Sequence, residues 1–178
     1  MERRNILKRL FEDELFLTKE LDGKRIIVDA KDTFAYIDSD FKKFGLDKPG
    51  AHTSEISIKV DELIDDGTFM DIFESLPGTR KQKLLTQDQI IETCKTRPGL
   101  LQNDSATVFF TEKTWPKFLE WLRVALVACK ILNPQVFVVS VSILGGGLSV
   151  GVSRLGSGLV WDAEGDYRVV SPQLPRRY

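Results

Sequence analysis

Histidine, cysteine and long apolar runs are all scarce in this chain, and each scarcity excludes something. His52 is the only histidine among 178 residues, and Cys94 and Cys129 are the only cysteines, far apart and outside any CxxC pair. A zinc site needs three or four closely placed nitrogen or sulfur ligands, so this inventory offers no His/Cys metal centre. Two isolated thiols make no disulfide framework and fit a reducing compartment. The most apolar stretch, Val124 to Cys129, is far shorter than the ~20 residues of a membrane span, and Arg123 and Lys130 flank it. Met1 to Glu14 carries charges but no apolar core, which sets the expectation of no signal peptide, no membrane contact and a cytoplasmic location. A surplus of one charge is missing too. The 25 basic and 26 acidic residues leave a net charge of −1, with no global field to draw in nucleic acid.

The composition is globular, with 42% hydrophobic and 29% charged residues, enough apolar mass to fold without a staple. The expectation is one domain over 1–178, divisible at most into a mixed part at 1–100 and a part at 101–178 holding a helix and a sheet. The fold class read from the pattern is α+β, with short N-terminal helices and a hairpin, one long helix near 114–132, and a C-terminal antiparallel β-meander.

Apolar Ile6, Leu7, Leu10 and Phe11 have helical spacing and predict a short helix over 5–11. Leu15, Leu17 and Leu21 precede Asp22-Gly23, and Ile26 and Val28 follow it, which reads as a hairpin on a type I′ turn. The competing reading is one helix capped by Gly23. Asp29 to Phe34 opens like a short helix, and Ser39 to Phe44 reads as another, closed by Gly45. Ile56, Ile58 and Val60 alternate as a strand, although Ile56, Val60, Leu63 and Ile64 also fit a helix. Thr68 can cap a helix carrying Phe69, Ile72, Phe73 and Leu76, and Pro77-Gly78 ends it. Thr86 and Gln89 have capping-box spacing for a helix reaching about Lys95. Thr107 to Phe110 reads as a strand.

The long helix opens with Pro116 in its first turn and stops at Asn133-Pro134, with Trp115, Phe118, Leu119, Leu122 and Leu126 on its apolar face. After it come Val136 to Leu144, a turn at Gly145-Gly146-Gly147, and the alternating Leu148, Val150 and Val152. Gly156-Ser157-Gly158 leads to Leu159-Val160-Trp161, and Glu164-Gly165-Asp166 turns into Tyr167 to Val170, with Pro172 and Pro175 ending the sheet.

Several short matches in order give the chain a family look. They are Leu21-Asp22-Gly23-Lys24-Arg25 with Asp29-Ala30-Lys31-Asp32, Ile37 to Lys43, Asp66-Gly67-Thr68-Phe69, and Leu85 to Ile91. Val160-Trp161-Asp162-Ala163-Glu164 and Arg168 to Leu174 complete the set. In these segments, spread over most of its length, the chain resembles an uncharacterised group of bacterial proteins. The resemblance implies a bacterial, cytoplasmic setting and no particular mechanism.

The chemistry-bearing patterns are few. Gly151-Val152-Ser153-Arg154-Leu155 lacks the second glycine and the strand-to-helix turn of a nucleophile elbow, so Ser153 reads as an ordinary strand residue. The glycine clusters join strands rather than opening a helix, which rules them out as phosphate loops, and no cofactor is expected. Cys94 and Cys129 sit among apolar neighbours and read as buried thiols. Asp38 with Asp40, and Asp162, Glu164 and Asp166, are carboxylate groupings that would suit a small hydrolase or nuclease. Turn and cap chemistry explains both. Arg3 to Arg9 and Arg80 to Lys83 are short basic clusters that would suit nucleic-acid binding.

The preferred expectation is a non-enzymatic module that binds another protein through the C-terminal sheet. Trp161, Tyr167, Arg168 and Arg154 are the candidate contact residues, because Trp, Tyr and Arg favour recognition hot spots. The alternative is that the aromatic pair packs inward.

Overall fold

The structure is a computed structural model that describes residues 5–11, 16–103, 105–114 and 135–173. Apart from Thr114, the helix expected near 114–132 lies outside the described residues, as do Arg3, Arg4 and Cys129.

Ten strands and three α-helices are described. The strands are β1 (Leu7–Arg9), β2 (Phe16–Thr18), β3 (Tyr36–Ile37), β4 (Ile56–Leu63), β5 (Gly67–Thr68), β6 (Thr107–Glu112), β7 (Val136–Leu144), β8 (Gly147–Arg154), β9 (Val160–Trp161) and β10 (Arg168–Pro172). The helices are α1 (Asp40–Lys43), α2 (Phe69–Ser75) and α3 (Gln87–Thr96). Eight strands form one mixed sheet in the order β1-β4-β10-β6-β7-β8-β3, with β2 also pairing β4, while β5 and β9 form a separate ribbon. The class is therefore mixed α and β, built on a sheet with few helices.

Strand alternation sends two apolar sets to opposite faces. One face carries Ile58, Val60, Phe109, Phe137, Val139, Val150, Val152 and Val170, packed against Ile90, Ile91 and Cys94 of α3 and against Phe34 and Phe41. The other carries Leu7, Leu63, Val108, Phe110, Val136, Val138 and Val169, packed against Phe69, Ile72 and Phe73 of α2. Phe73 meets Phe110 edge-on, with ring centroids 5.0 Å apart. The second face also holds a charged pair. Lys59 and Asp61, alternate residues of β4, are both buried and lie 2.5 Å apart.

Local signals set much of this. Thr68 and Asp71 close a capping box on α2, and Thr86 and Gln89 close another on α3. Gly45 follows α1 with φ +71°. The β7–β8 hairpin turns on Gly145 and Gly146, both at positive φ as a type I′ turn requires.

Three expectations are corrected. Residues 7–9 form a strand rather than a helix, with Leu7 opposite Leu63 in β4. The open edge of β4 supplies a ladder that local helical spacing cannot outweigh. The described part of the expected 15–28 unit, residues 16–28, forms neither a hairpin nor a helix. Gly23 has φ +76°, but no positive φ is recorded for Asp22, so the pair is no type I′ turn. Thr18 pairs with Ile56 of β4, Leu21 bridges to Thr53, and Ile27–Asp29 form a 3-10 turn. A Cβ on Gly23 would lie 2.2 Å from the Ala51 carbonyl oxygen, so the glycine serves a close backbone approach. The last strands are not a meander: β9 leaves the sheet to pair with β5, and β10 inserts between β4 and β6, parallel to β6. A strand buried on both faces reads as a continuous apolar run, and Val169-Val170 at the centre of β10 is one.

Candidate functional site

Of the expected contact residues, Trp161 and Tyr167 come together, whereas Arg168 and Arg154 make other contacts. Trp161 lies in β9 opposite Gly67, with its ring centroid 5.0 Å from Phe69 and 4.1 Å from Tyr167. Tyr167 folds back over Gly165, where any Cβ would stand within 3.0 Å of its ring. Arg168 is the next residue, and strand alternation carries it to the opposite face. There its Nη1 donates to the carbonyls of Gly99 at 3.2 Å and Leu100 at 3.1 Å, in the Pro98–Leu100 3-10 turn. Trp161, Tyr167 and Arg168 are each half-buried. Arg154 is exposed at the end of β8, its guanidinium 5.2 Å above the ring of Phe44.

The carboxylates are held by local backbone. Asp38 Oδ1 accepts the Asp40 amide at 2.9 Å, and Asp40 pairs with Lys43 at 2.5 Å. Asp162 Oδ1 accepts the Glu164 amide at 2.8 Å. Exposed His52 contacts Glu20 at 2.6 Å. Among the described residues, no three His, Cys, Asp or Glu side chains gather as a metal site would need. Burial pushes the Cys94 thiol up to about 12.

The Arg80–Lys83 cluster is largely built into the fold. Buried Lys83 donates to the Phe73 carbonyl at 2.8 Å and sits 4.9 Å from the centre of that residue's ring. Arg80 is half-buried, and desolvation holds its guanidinium below its ordinary value.

Sequence patterning missed the polar network on α3. Arg25 Nε donates to Asp88 Oδ1 at 2.5 Å and its Nη2 to Glu92 Oε2 at 2.7 Å, while Lys19 reaches Glu92 Oε1 at 2.9 Å. The Gly23 amide donates to Asp88 Oδ2 at 2.9 Å and the Ile27 amide to Gln87 Oε1 at 3.0 Å. These bonds fasten the 19–27 segment across the helix. Burial pushes the Glu92 carboxyl up, but hydrogen bonds from Lys19 and Arg25 outweigh that and leave it below its ordinary value.

It also missed an apolar surface. Val160 is 62% exposed, Leu159 57% and Met70 40%, three of the six large apolar side chains that stand exposed among the described residues. Val160 pairs with Thr68, two residues before Met70, so the three belong to one corner of the molecule. Met70 also lines a groove of about 350 Å³, together with Arg80, Val136, Arg154 and Leu155. The outer edge of β9 has no strand partner among the described residues. The only advance signal was Leu159-Val160 following a glycine-rich turn, and it read as an ordinary strand.

The chain matches no protein-family model, no curated protein and no solved structure. Among the described residues no helix is long and apolar enough to cross a membrane.

Proposed function

We propose that this chain is a non-enzymatic binding module that engages a protein partner at the corner formed by β9, the turn before it and the start of α2. The carrying observation is the open edge of β9 beside exposed Leu159, Val160 and Met70. An extended segment adding to that edge would gain main-chain hydrogen bonds from β9 and place apolar side chains against the three residues. Arg154 lines the adjoining groove at the end of β8, with its guanidinium over Phe44. Arg154 was already a contact candidate from the sequence. Trp161 and Tyr167 brace the corner from behind through Phe69. The proposed setting is a bacterial cytoplasm, as the resemblance implies.

Deleting the chain from Gly156 onward would remove β10 from the middle of the sheet, so the test uses point changes. Affinity capture from the source cell compares the wild type with Leu159→Asp/Val160→Asp and with Tyr36→Ala, an exposed change on β3. The expected result is a partner held by the wild type and by Tyr36→Ala but lost by the double variant. Its purified form should then bind the wild type at least roughly tenfold more tightly than the double variant. Identical captured sets for the wild type and the double variant would refute the reading.

A further inference from the structure

A second cleft, of about 400 Å³, lies where the chain runs from the Ile27–Asp29 turn through β3 into α1. Small-molecule sites are commonly about 300–1,000 Å³, mostly apolar with a few placed polar groups. The lining fits that description. Val28, Ala35 and Ile37 give the apolar wall over the buried Phe34, and Lys31, Lys42, Asp38 and Ser39 the polar part.

The pairing of the nearby lysines is selective. Lys43 is bound to Asp40 and Lys95 to Asp32, so the neighbouring carboxylates are taken by lysines outside the lining. Lys31 and Lys42, which line the cleft, have no carboxylate partner among the described residues. The Ser39 hydroxyl, at the N-cap of α1, makes no capping hydrogen bond. Two ammonium groups and a hydroxyl therefore border an apolar wall. Asp38 is partly committed to the Asp40 amide, and its charge leaves the lining with a net +1. One anionic group balances that excess, whereas a polyphosphate would meet the Asp38 carboxylate.

We infer that this cleft is a binding site for a small apolar carboxylic acid, whose hydrocarbon body lies on Val28, Ala35 and Ile37 and whose carboxylate is held by Lys31, Lys42 and Ser39. The site is separate from the β9 corner and needs no protein partner.

The probe is 2-naphthoate, an aromatic body with one carboxylate, titrated into the 15N-labelled full chain and followed by amide shifts. Its neutral counterpart, 2-naphthalenemethanol, is titrated in parallel. The expected result is saturable shifts concentrated in residues 28–42, with affinity for naphthoate weakened by added salt. Lys31→Gln/Lys42→Gln should weaken naphthoate roughly tenfold, as two partly solvated charge pairs allow, and change the alcohol less than about twofold. Both lysines are exposed, so the variant should keep the wild-type spectrum elsewhere. Shifts that do not saturate, shifts spread over the whole molecule, or equal losses for acid and alcohol would each overturn the inference.

Discussion

Asp88→Ala should destabilise the protein far more than its place on a short polar helix suggests. The Asp88 side chain is only 1% exposed and accepts two hydrogen bonds, from Arg25 Nε and from the Gly23 amide. Removing it strands the Gly23 N–H in a buried position, and a buried donor without a partner costs about 1–3 kcal/mol. It also removes one carboxylate from Arg25. That loss is smaller, because the Arg25 side chain is 37% exposed and keeps Glu92. Together the expected loss is about 3 kcal/mol, below the upper range for breaking a fully buried pair. With a urea slope of about 2 kcal/mol/M, the unfolding midpoint should fall by roughly 1.5 M at unchanged slope. Asp22→Ala is the control. Asp22 lies beside the same turn but pairs with Lys24 in solvent, and its midpoint should not move measurably. A shift below about 0.5 M for Asp88→Ala would refute the view that α3 fastens the 19–27 segment.

Gly23→Ala should lose more than about 1–2 kcal/mol in thermal unfolding, from positive φ and the clash with Ala51, whereas Gly99→Ala, with open space around it, should melt like the wild type. Trp161→Ala should cost about 3 kcal/mol in the same assay because Trp161 bridges Phe69 and Tyr167; a stable variant would show that the ring supports no packing. Glu92 has a lowered folded value, so its contribution is present above its ordinary 4.5 and is lost as pH falls through the folded value. The urea midpoint of the wild type should therefore drop more steeply below pH 4.5 than that of Glu92→Gln, and parallel curves would contradict the linkage.

The elements legible in the sequence are those whose information is local. The capping boxes at Thr68 and Thr86 act within one helical turn, and Gly145-Gly146 fixes a hairpin whose strands adjoin in the chain. Asp22-Gly23 shows where such reasoning stops. The glycine does take positive φ, but the reason is the backbone of Gly50-Ala51, far along the sequence. The candidate site was legible only in part. Arg154 stood out by residue type, but exposure of Leu159 and Val160 depends on β9 leaving the main sheet for β5, which no spacing rule reports. Trp161 and Tyr167 likewise look like recognition residues until their packing partner, Phe69, is known.

By itself, then, the sequence determined the balance of charge, the scarcity of metal-binding side chains, the capped helices and the β7–β8 hairpin, because each depends on composition or on neighbours a few residues away. Only the tertiary structure decided that β10 lies between β4 and β6, that Arg25 closes on Asp88 and Glu92, and that Tyr167 and Arg168 serve opposite faces. Those outcomes are pairings between residues remote in the chain. Their energies come from surfaces and donors that exist only once the sheet has assembled.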